Sequence, residues 1–525
     1  MAKDRFILAI DLGTSGPKVG LASTHGEILD YEFEGTPILL LPNGGAEQDP
    51  HDWWGAISRA TARLLAKDLV PIDTIQAINL TTQWSGTVPV DRDGNPLMNA
   101  IIWMDSRGAS YVKEIVRGLL NIDGYGIDKL LTWVQLTAGI PAQSGKDPIA
   151  HILYIKNCLP AIYEATDKFL EPKDYLNMRL TGKAVSSYDA ICLHWLTDNR
   201  QLSRVAYDER LLKMSTIDRQ KLPDLAPTMS ILGDIDPKVA QELGLGEHVK
   251  VIVGAPDLQS AAIGSGAVRD FEAHLYLGTS SWLCCHVPYK KTDIFHNMCS
   301  MPSAIPGRYL LTNEQECAGA CLEYLRDVIL FPQDELSGEV CPEDFYSRLN
   351  AMAAQIPPGS GGLIFLPWLY GERSPVDDHL VRGGFFNQSL ETTRRHMARA
   401  VFEGVAYNSR WLLKYVEKFI GRQLETITMI GGGAQSDLWC QIHADVFDRK
   451  VRQAKDPILA NIRGAAFLAS AAMGDISIDE IPNLVEYKDT FYPNPDNRHV
   501  YDRLFDAFVE LYERNQRIFA RLNAR

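Results

Sequence analysis

The chain has 525 residues, 46% hydrophobic and 22% charged, with a formal net charge of −14. That length exceeds what one hydrophobic core serves and predicts at least two domains of ordinary globular composition. The acidic balance argues against a nucleic-acid or membrane surface, although local donors could still hold a nucleotide, and no apolar run is long enough to span a bilayer.

Met1–Arg5 run directly into the first strand, which leaves no space for a secretion signal. Nine scattered cysteines, without zinc spacing or a disulfide framework, predict reduced thiols and a cytoplasmic location. The first element is the apolar run Phe6–Ile10, a buried strand that ends in Asp11. The chain turns through Gly13, Thr14, Ser15 and Gly16 and returns along Val19–Ala22, which makes a hairpin. Its glycines let backbone N–H groups approach an anion, with Thr14, Ser15 and Lys18 as further donors. Asp11 beside such a loop suits a hydrated Mg²⁺. No GxxxxGK[ST] is present, so this is not a Walker loop.

Glu27–Phe33 alternates as a third strand, and Asp49-Pro50 starts an amphipathic helix with Asp49 as its cap. Ile75–Leu80 is the next buried strand, followed by Thr81–Gly86; Thr87–Val90 and Ala100–Trp103 read as a hairpin around Asp91–Gly94. Helical patterns cover 151–157, 159–164 and 173–180, the last closed by Thr181-Gly182, and 199–246 alternates short helices and turns. Lys250–Val253 is a strand leading to Asp257. From there the opening plan repeats: strand His274–Leu277, turn Gly278–Ser281, strand Trp282–Val287. Gly361–Pro367 and Thr426–Ile430 are further strands, Gly431–Gly433 leads into a helix from Ser436 to Phe447, and a long C-terminal helix buries Tyr501, Leu504, Phe505, Phe508, Leu511 and Tyr512. Gly264 and Gly266 place a hinge and a domain boundary at 266/267.

Asp11-Leu-Gly-Thr14, Trp103 with Asp105 and Arg107, Asp257, Gly278–Ser280 and Gly431–Ala434, in this order, resemble the FGGY carbohydrate kinases from the first hairpin to about Gly474. Glu47–Pro50 with Trp53-Trp54, Pro172–Leu176 and Tyr370–Pro375 are similar to segments of xylulokinase-like members. Gly384–Phe386 with Arg399–Gly404 resembles the C-terminal family signature, and Ala318–Asp327 a glycerol-kinase segment beside the nucleotide. The resemblance implies an α/β fold of two ribonuclease-H-like (actin/sugar-kinase/Hsp70) domains, 1–266 and 267–525, flanking a central cleft. It implies an ATP- and Mg²⁺-dependent kinase acting on a small sugar or polyol, a pentulose first, as a monomer or homodimer that binds neither nucleic acid nor membrane.

Within that reading Asp257 is the general base, because a sugar hydroxyl needs a nearby carboxylate to take its proton. Asp11 holds the metal. Gly13, Thr14, Ser15, Lys18, Gly278, Thr279 and Ser280 grip the phosphates, while Gly319, Gly432, Gly433, Ala434 and Asp437 take the adenosine, with helix capping as the alternative for Asp437. Gln83, Trp84, Ser85, Trp103, Asp105, Asp257 and Leu258 line the sugar side, where Trp84-Ser85 and Leu258 replace the Met-His and Asn of xylulokinases. That departure points to a sugar other than D-xylulose, with Trp84 as core filler the competing reading. Asp105 with Arg107 could instead brace a loop, Glu372 with Arg373 form an ion pair or a cleft-closing contact, and Arg394, Arg395 and Arg399 a solvated helix face. His151, His194 and His443 have no ligand spacing. The rival class is an actin- or Hsp70-like ATPase, or a silent nucleotide sensor, which would need no sugar base.

Overall fold

Strand β1 (Phe6–Gly13) pairs antiparallel with β2 (Gly16–Ser23), and β2 pairs with β3 (Ile28–Phe33). The computed structural model describes residues 5–336 and 338–524, so Met1–Asp4, and the expectation built on them, lie outside the described residues. Helix α1 (Pro50–Leu65) is capped as expected, with the His51 N–H donating to the Asp49 carboxylate. Strand β4 (Ile75–Thr82) returns parallel to β1. The Thr87 and Ile101 hydrogen bonds hold the expected hairpin, but its arms find their main partners elsewhere: Val88–Val90 on Lys168–Leu170, and Ala100–Ile101 on Gly45–Gln48. Helix α2 (Pro172–Thr181) ends at Gly182 in a left-handed conformation. Strands β5 (Ile231–Asp234) and β6 (Lys250–Ile252) complete a six-stranded sheet of order β5-β6-β4-β1-β2-β3.

After helix α3 (Asp257–Gly264), a second sheet repeats the first. Strands β7 (Ala273–Leu277) and β8 (Ser281–Val287) form its hairpin. Strands β9 (Thr292–Asp293), β10 (Met298–Pro302) and β11 (Tyr309–Thr312) extend one side. Helix α4 (Arg394–Ile420) precedes β12 (Thr426–Ile430), which runs parallel to β7 as β4 does to β1. Helix α5 (Asp437–Phe447), β13 (Lys450–Ala454), helix α6 (Ala460–Met473), β14 (Tyr487–Phe491) and helix α7 (Arg498–Asn523) follow. The sheet order is β9-β10-β11-β8-β7-β12-β13-β14. Three antiparallel strands, then parallel ones, then an antiparallel edge therefore occur twice. The expected strand at 361–367 is shorter: Gly361 and Gly362 have left-handed backbones (φ 64° and 89°), and Ile364–Leu366 pairs only with Gly384–Phe386, outside the main sheet.

The lobes are joined by an exchange of helices. From the second half, α6 sets Ile462, Ala465, Ala466 and Ala469 against Ile7, Ala9, Ala22 and Ala77 of the first sheet. In return α3 sets Ala261 and Ala262 against Trp282, Cys284 and Ile430 of the second. The two helices cross at Gly264 and Gly464. A Cβ on Gly264 would lie 1.8 Å from the Ala460 carbonyl oxygen, and one on Gly464 1.9 Å from that of Ser260. Gly264, expected to serve as a hinge, is thus a close-packing position. Among the described residues no helix is long and apolar enough to cross a membrane.

Candidate active site

The two strand–turn–strand hairpins sit at equivalent ends of the two sheets, and α3 starts between them. Gly16 (φ 135°) closes the first turn against residue 34, where any Cβ would meet the Glu34 carbonyl oxygen at 2.0 Å. Asp11 is buried at the end of β1. Its oxygens accept from Lys18 Nζ and from Asn461 Nδ2 of α6, each at 3.3 Å. Asn461 is a residue that the sequence did not single out. It comes from 450 positions away, so no local pattern could have paired it with Asp11.

Asp257 opens α3 after Pro256, and its carboxylate accepts the Leu258 N–H at 2.7 Å. Burial pushes its pKa up to about 8, and the negative charges of Asp11 and then Glu314 add to the effect. Asp11 belongs to the first sheet, whereas Glu314 follows β11 of the second. Leu258, the next residue, packs on the cluster of Trp282, Cys284 and Ile430, which puts the start of α3 against the second sheet.

On the second lobe, the Gly319 N–H donates to the Gly278 carbonyl (2.7 Å) and the Ala318 N–H to that of Thr279 (2.8 Å), so Gly278–Ser280 and Gly319 form one unit. Gly431–Ala434 packs beside it: a Cβ on Gly433 would lie 2.8 Å from Leu277. Gly432 is open, whereas Ala434 is buried with its carbonyl accepting from Gln453 Nε2. The capping alternative for Asp437 gives way to Ser436, whose hydroxyl oxygen accepts the Trp439 N–H. Asp437 itself pairs with Lys488 at 2.6 Å and accepts from Gln453.

The sugar-side residues divide. Gln83, Thr14, Gln48 and Trp103 are linked: Trp103 Nε1 donates to Thr14 Oγ1 (3.0 Å), Thr14 to Gln83 Oε1 (3.2 Å), and Gln83 Nε2 to Gln48 (2.7 Å). Trp84 is half-buried: it donates its indole N–H to the Ala190 carbonyl and packs on the helical core around Trp133 and Trp195. Ser85 donates to the Lys146 carbonyl at 2.8 Å. Asp105 is 1% exposed and accepts from Ala46 N–H and Arg107, which also reaches Glu47 (2.6 Å). These bonds make Asp105 the loop brace.

Further assignments change. Glu372 and Arg373 do not pair with each other through their side chains. Arg373 pairs instead with Glu314 and Glu316, and Glu372 accepts from Asn408 Nδ2 (2.5 Å) and the Glu316 N–H. Arg399 leaves the expected solvated face, because α7 covers it: it is buried against Glu403 (2.8 Å) and the Tyr501 hydroxyl (2.8 Å). His151, His194 and His443 are core residues. Lys146 and Glu314–Glu316, absent from the sequence-derived site, meet where the helical region faces the second lobe: Lys146 Nζ is 3.7 Å from Glu316 and 5.4 Å from the Tyr370 ring centroid.

Duplicated sheets and exchanged helices define a two-lobed α/β fold of the actin/sugar-kinase/Hsp70 type. Residues 6–264 match the N-terminal domain, and residues 273–473 the C-terminal domain, of the FGGY family of carbohydrate kinases, and the chain belongs to that family. A xylulose kinase of Staphylococcus epidermidis is 29% identical over 98% of both chains, and a gluconokinase of Bacillus subtilis is 26% identical over 96% of this chain and 95% of its own. The crystal structure of a gluconate kinase from Lactobacillus acidophilus superposes with a TM-score of 0.86 at 25% identity, covering 99% of this chain and all of that one. The protein is accordingly an ATP-dependent carbohydrate kinase whose phosphoryl acceptor is an alcohol.

Proposed function

We propose that the protein transfers the γ-phosphate of ATP to a hydroxyl of a small sugar or polyol, a pentulose first, with Asp257 as general base. The observation that carries this reading is Asp257 at the lobe junction, with its pKa raised to about 8 by burial and by Asp11. A base that titrates near working pH both accepts a proton readily and is deprotonated often enough to do so. In this reading the lobes divide at 266/267, Gly13, Thr14 and Ser15 grip the phosphates from one lobe, and Gly278, Thr279 and Ser280 grip them from the other. Gly319 and Gly432–Ala434 wall the adenosine, with Asp437 at its edge.

The donor set at Asp11 fits a hydrated Mg²⁺. Both of its side-chain contacts are long, at 3.3 Å, and leave lone pairs available for water. When bound, such an ion neutralises charge on the phosphate oxygens. Gln83, Ser85, Trp103 and half-buried Trp84 form the sugar side with Leu258. An indole and an alkyl group there favour a C–H face over a full set of hydroxyls, since an unpaired hydroxyl costs about 1–3 kcal/mol. The favoured substrate is therefore another ketopentose, a tetritol or a deoxy sugar rather than D-xylulose. We place the enzyme in the cytoplasm, as a monomer or homodimer.

ADP release measured over a panel of ketoses, polyols, deoxy sugars and gluconate tests both points. Asp257→Asn is expected to lose at least about 100-fold in kcat, with the ATP KM within about twofold. Near-normal turnover in that variant would remove Asp257 as base. A clear preference for D-xylulose would overturn the substrate assignment.

A further inference from the structure

The segment Glu171-Pro-Lys-Asp174 at the head of α2 contains a lysine whose side chain is 0% exposed, beside an aspartate that is also 0% exposed. A buried ammonium is costly unless its partners require it, and nothing in the phosphate or adenosine sites uses this one. Lys173 Nζ donates to Asp174 Oδ1 at 2.5 Å and to the Val253 carbonyl at 3.0 Å. Asn177, one turn along α2, donates to the same carbonyl at 2.8 Å. Both lone pairs of Val253 are thereby occupied just beyond the end of β6. Four residues later the chain delivers Asp257. On the far side of this loop, the Val253 and Gly254 N–H groups donate to the Ser230 and Thr228 carbonyls, and the Thr228 hydroxyl donates to buried Asp189.

The other end of the same segment holds the sugar loop. Glu171 Oε2 accepts the Gly86 N–H at 3.0 Å, and Pro172 fills the space where a Gly86 side chain would stand. Within this short segment Glu171 and Pro172 therefore touch Gly86 of the loop 83–86, and Lys173, held by Asp174, touches the carbonyl that starts the loop 253–257.

We propose that Glu171–Asp174 is a strut that fixes the spacing between the sugar-binding loop and the general base, with Lys173 as a positioning residue for Asp257. The inference rests on the role given to Asp257 above. Removing the Lys173 donor leaves the Val253 carbonyl held by Asn177 alone and loosens the base loop, and a misplacement near 1 Å costs up to about 100-fold in rate.

Lys173→Met separates this role from simple charge burial when compared with the double variant Lys173→Met/Asp174→Asn. The single variant is expected to lose thermal stability and about 10- to 100-fold in sugar-dependent kcat, with the ATP KM within about twofold. The double variant leaves no lone charge at 174, so its Tm should recover while kcat stays low. Recovery of wild-type kcat in the double variant would overturn the proposal, because Lys173 would then only neutralise Asp174; this arm decides even if the single variant does not fold. Asp257→Asn, assayed in parallel, separates the two failures. If it stays active, the role of Asp257 falls; if it is inactive while both Lys173 variants keep wild-type kcat, only the strut falls.

Discussion

At the scale of single residues, the role proposed for Asp257 runs against stability. Its pKa in the folded chain, about 8, lies above the ordinary 3.8, with burial as the main cause and Asp11 the next. Between those values the folded state binds the extra proton, so the group's contribution to stability declines as pH rises from about 4 towards 8. Asp257→Asn removes that decline. Differential scanning fluorimetry should find the variant more stable than the parent, by a margin that is larger at pH 8 than at pH 5; an equal margin at both would contradict the raised pKa. The same ionisation bears on rate. With the carboxylate as the active form, kcat/KM for the sugar should climb with pH and reach half its plateau near pH 8. A profile flat from pH 6 to 9 would contradict it. Asp11 was singled out in the sequence because it ends an apolar strand beside a glycine turn, and Asp257 because of the resemblance to the family. Asn461 and Glu314 were not, because their positions matter only through contacts between lobes.

At the scale of elements, α3 and α6 cross closely, with glycine on both sides and backbone as the obstacle. Gly264→Ala would push its Cβ into the Ala460 carbonyl, which cannot turn aside as a flexible side chain would. Overpacking of this kind costs roughly 1–3 kcal/mol or more. It also moves Asp257 and Asn461, which ride on these helices. Calorimetry together with single-turnover kinetics should find a lowered Tm and a slowed phosphoryl step in the same variant. A full rate with only a lowered Tm would separate the crossing from catalysis. The hairpins, α1 with its Asp49 cap, and α7 with its apolar stripe followed from local pattern. The strand expected at 361–367 did not form at full length, since two glycines there adopt left-handed backbones and Ile364–Leu366 pair away from the main sheet.

At the scale of the whole molecule, the helical region of the first lobe reaches over to the second. Lys290 donates to the Val134 carbonyl (2.7 Å), Thr292 to that of Ala138 (2.6 Å), and the Tyr309 hydroxyl to that of Asn199 (2.9 Å). Nearest the site, Lys146 spans from the Ser85 loop to Glu316 and Tyr370. Burial lowers its pKa and neighbouring Arg373 lowers it further, while Glu316 and Glu314 oppose the shift. Burial alone would also lower Arg373, yet Glu314 and Glu316 hold it raised. Lys146→Met keeps the aliphatic stem and removes the charge. A cross-lobe contact of about 1 kcal/mol corresponds to roughly a fivefold rise in sugar KM with little change in kcat. Steady-state kinetics across the sugar panel would check this, and an unchanged KM would show that the contact does not bear on substrate.

The apolar runs, their glycine turns and the acids that end them are properties of neighbours in the chain, and from them the sequence alone determined the hairpins, helices α1, α2, α5 and α7 and the duplicated plan, while the order of its motifs marked the family. Which lobe each helix would cover, that Arg399 and Lys173 would be buried, that Asp105 would brace a loop, and that Glu314, Lys146 and Asn461 would gather around the cleft were decided only by the tertiary structure. The reason is physical: strand and cap preferences act over a few residues, whereas burial of charge and the pairing of carboxylates depend on which distant segments the exchange of α3 and α6 brings within hydrogen-bond reach.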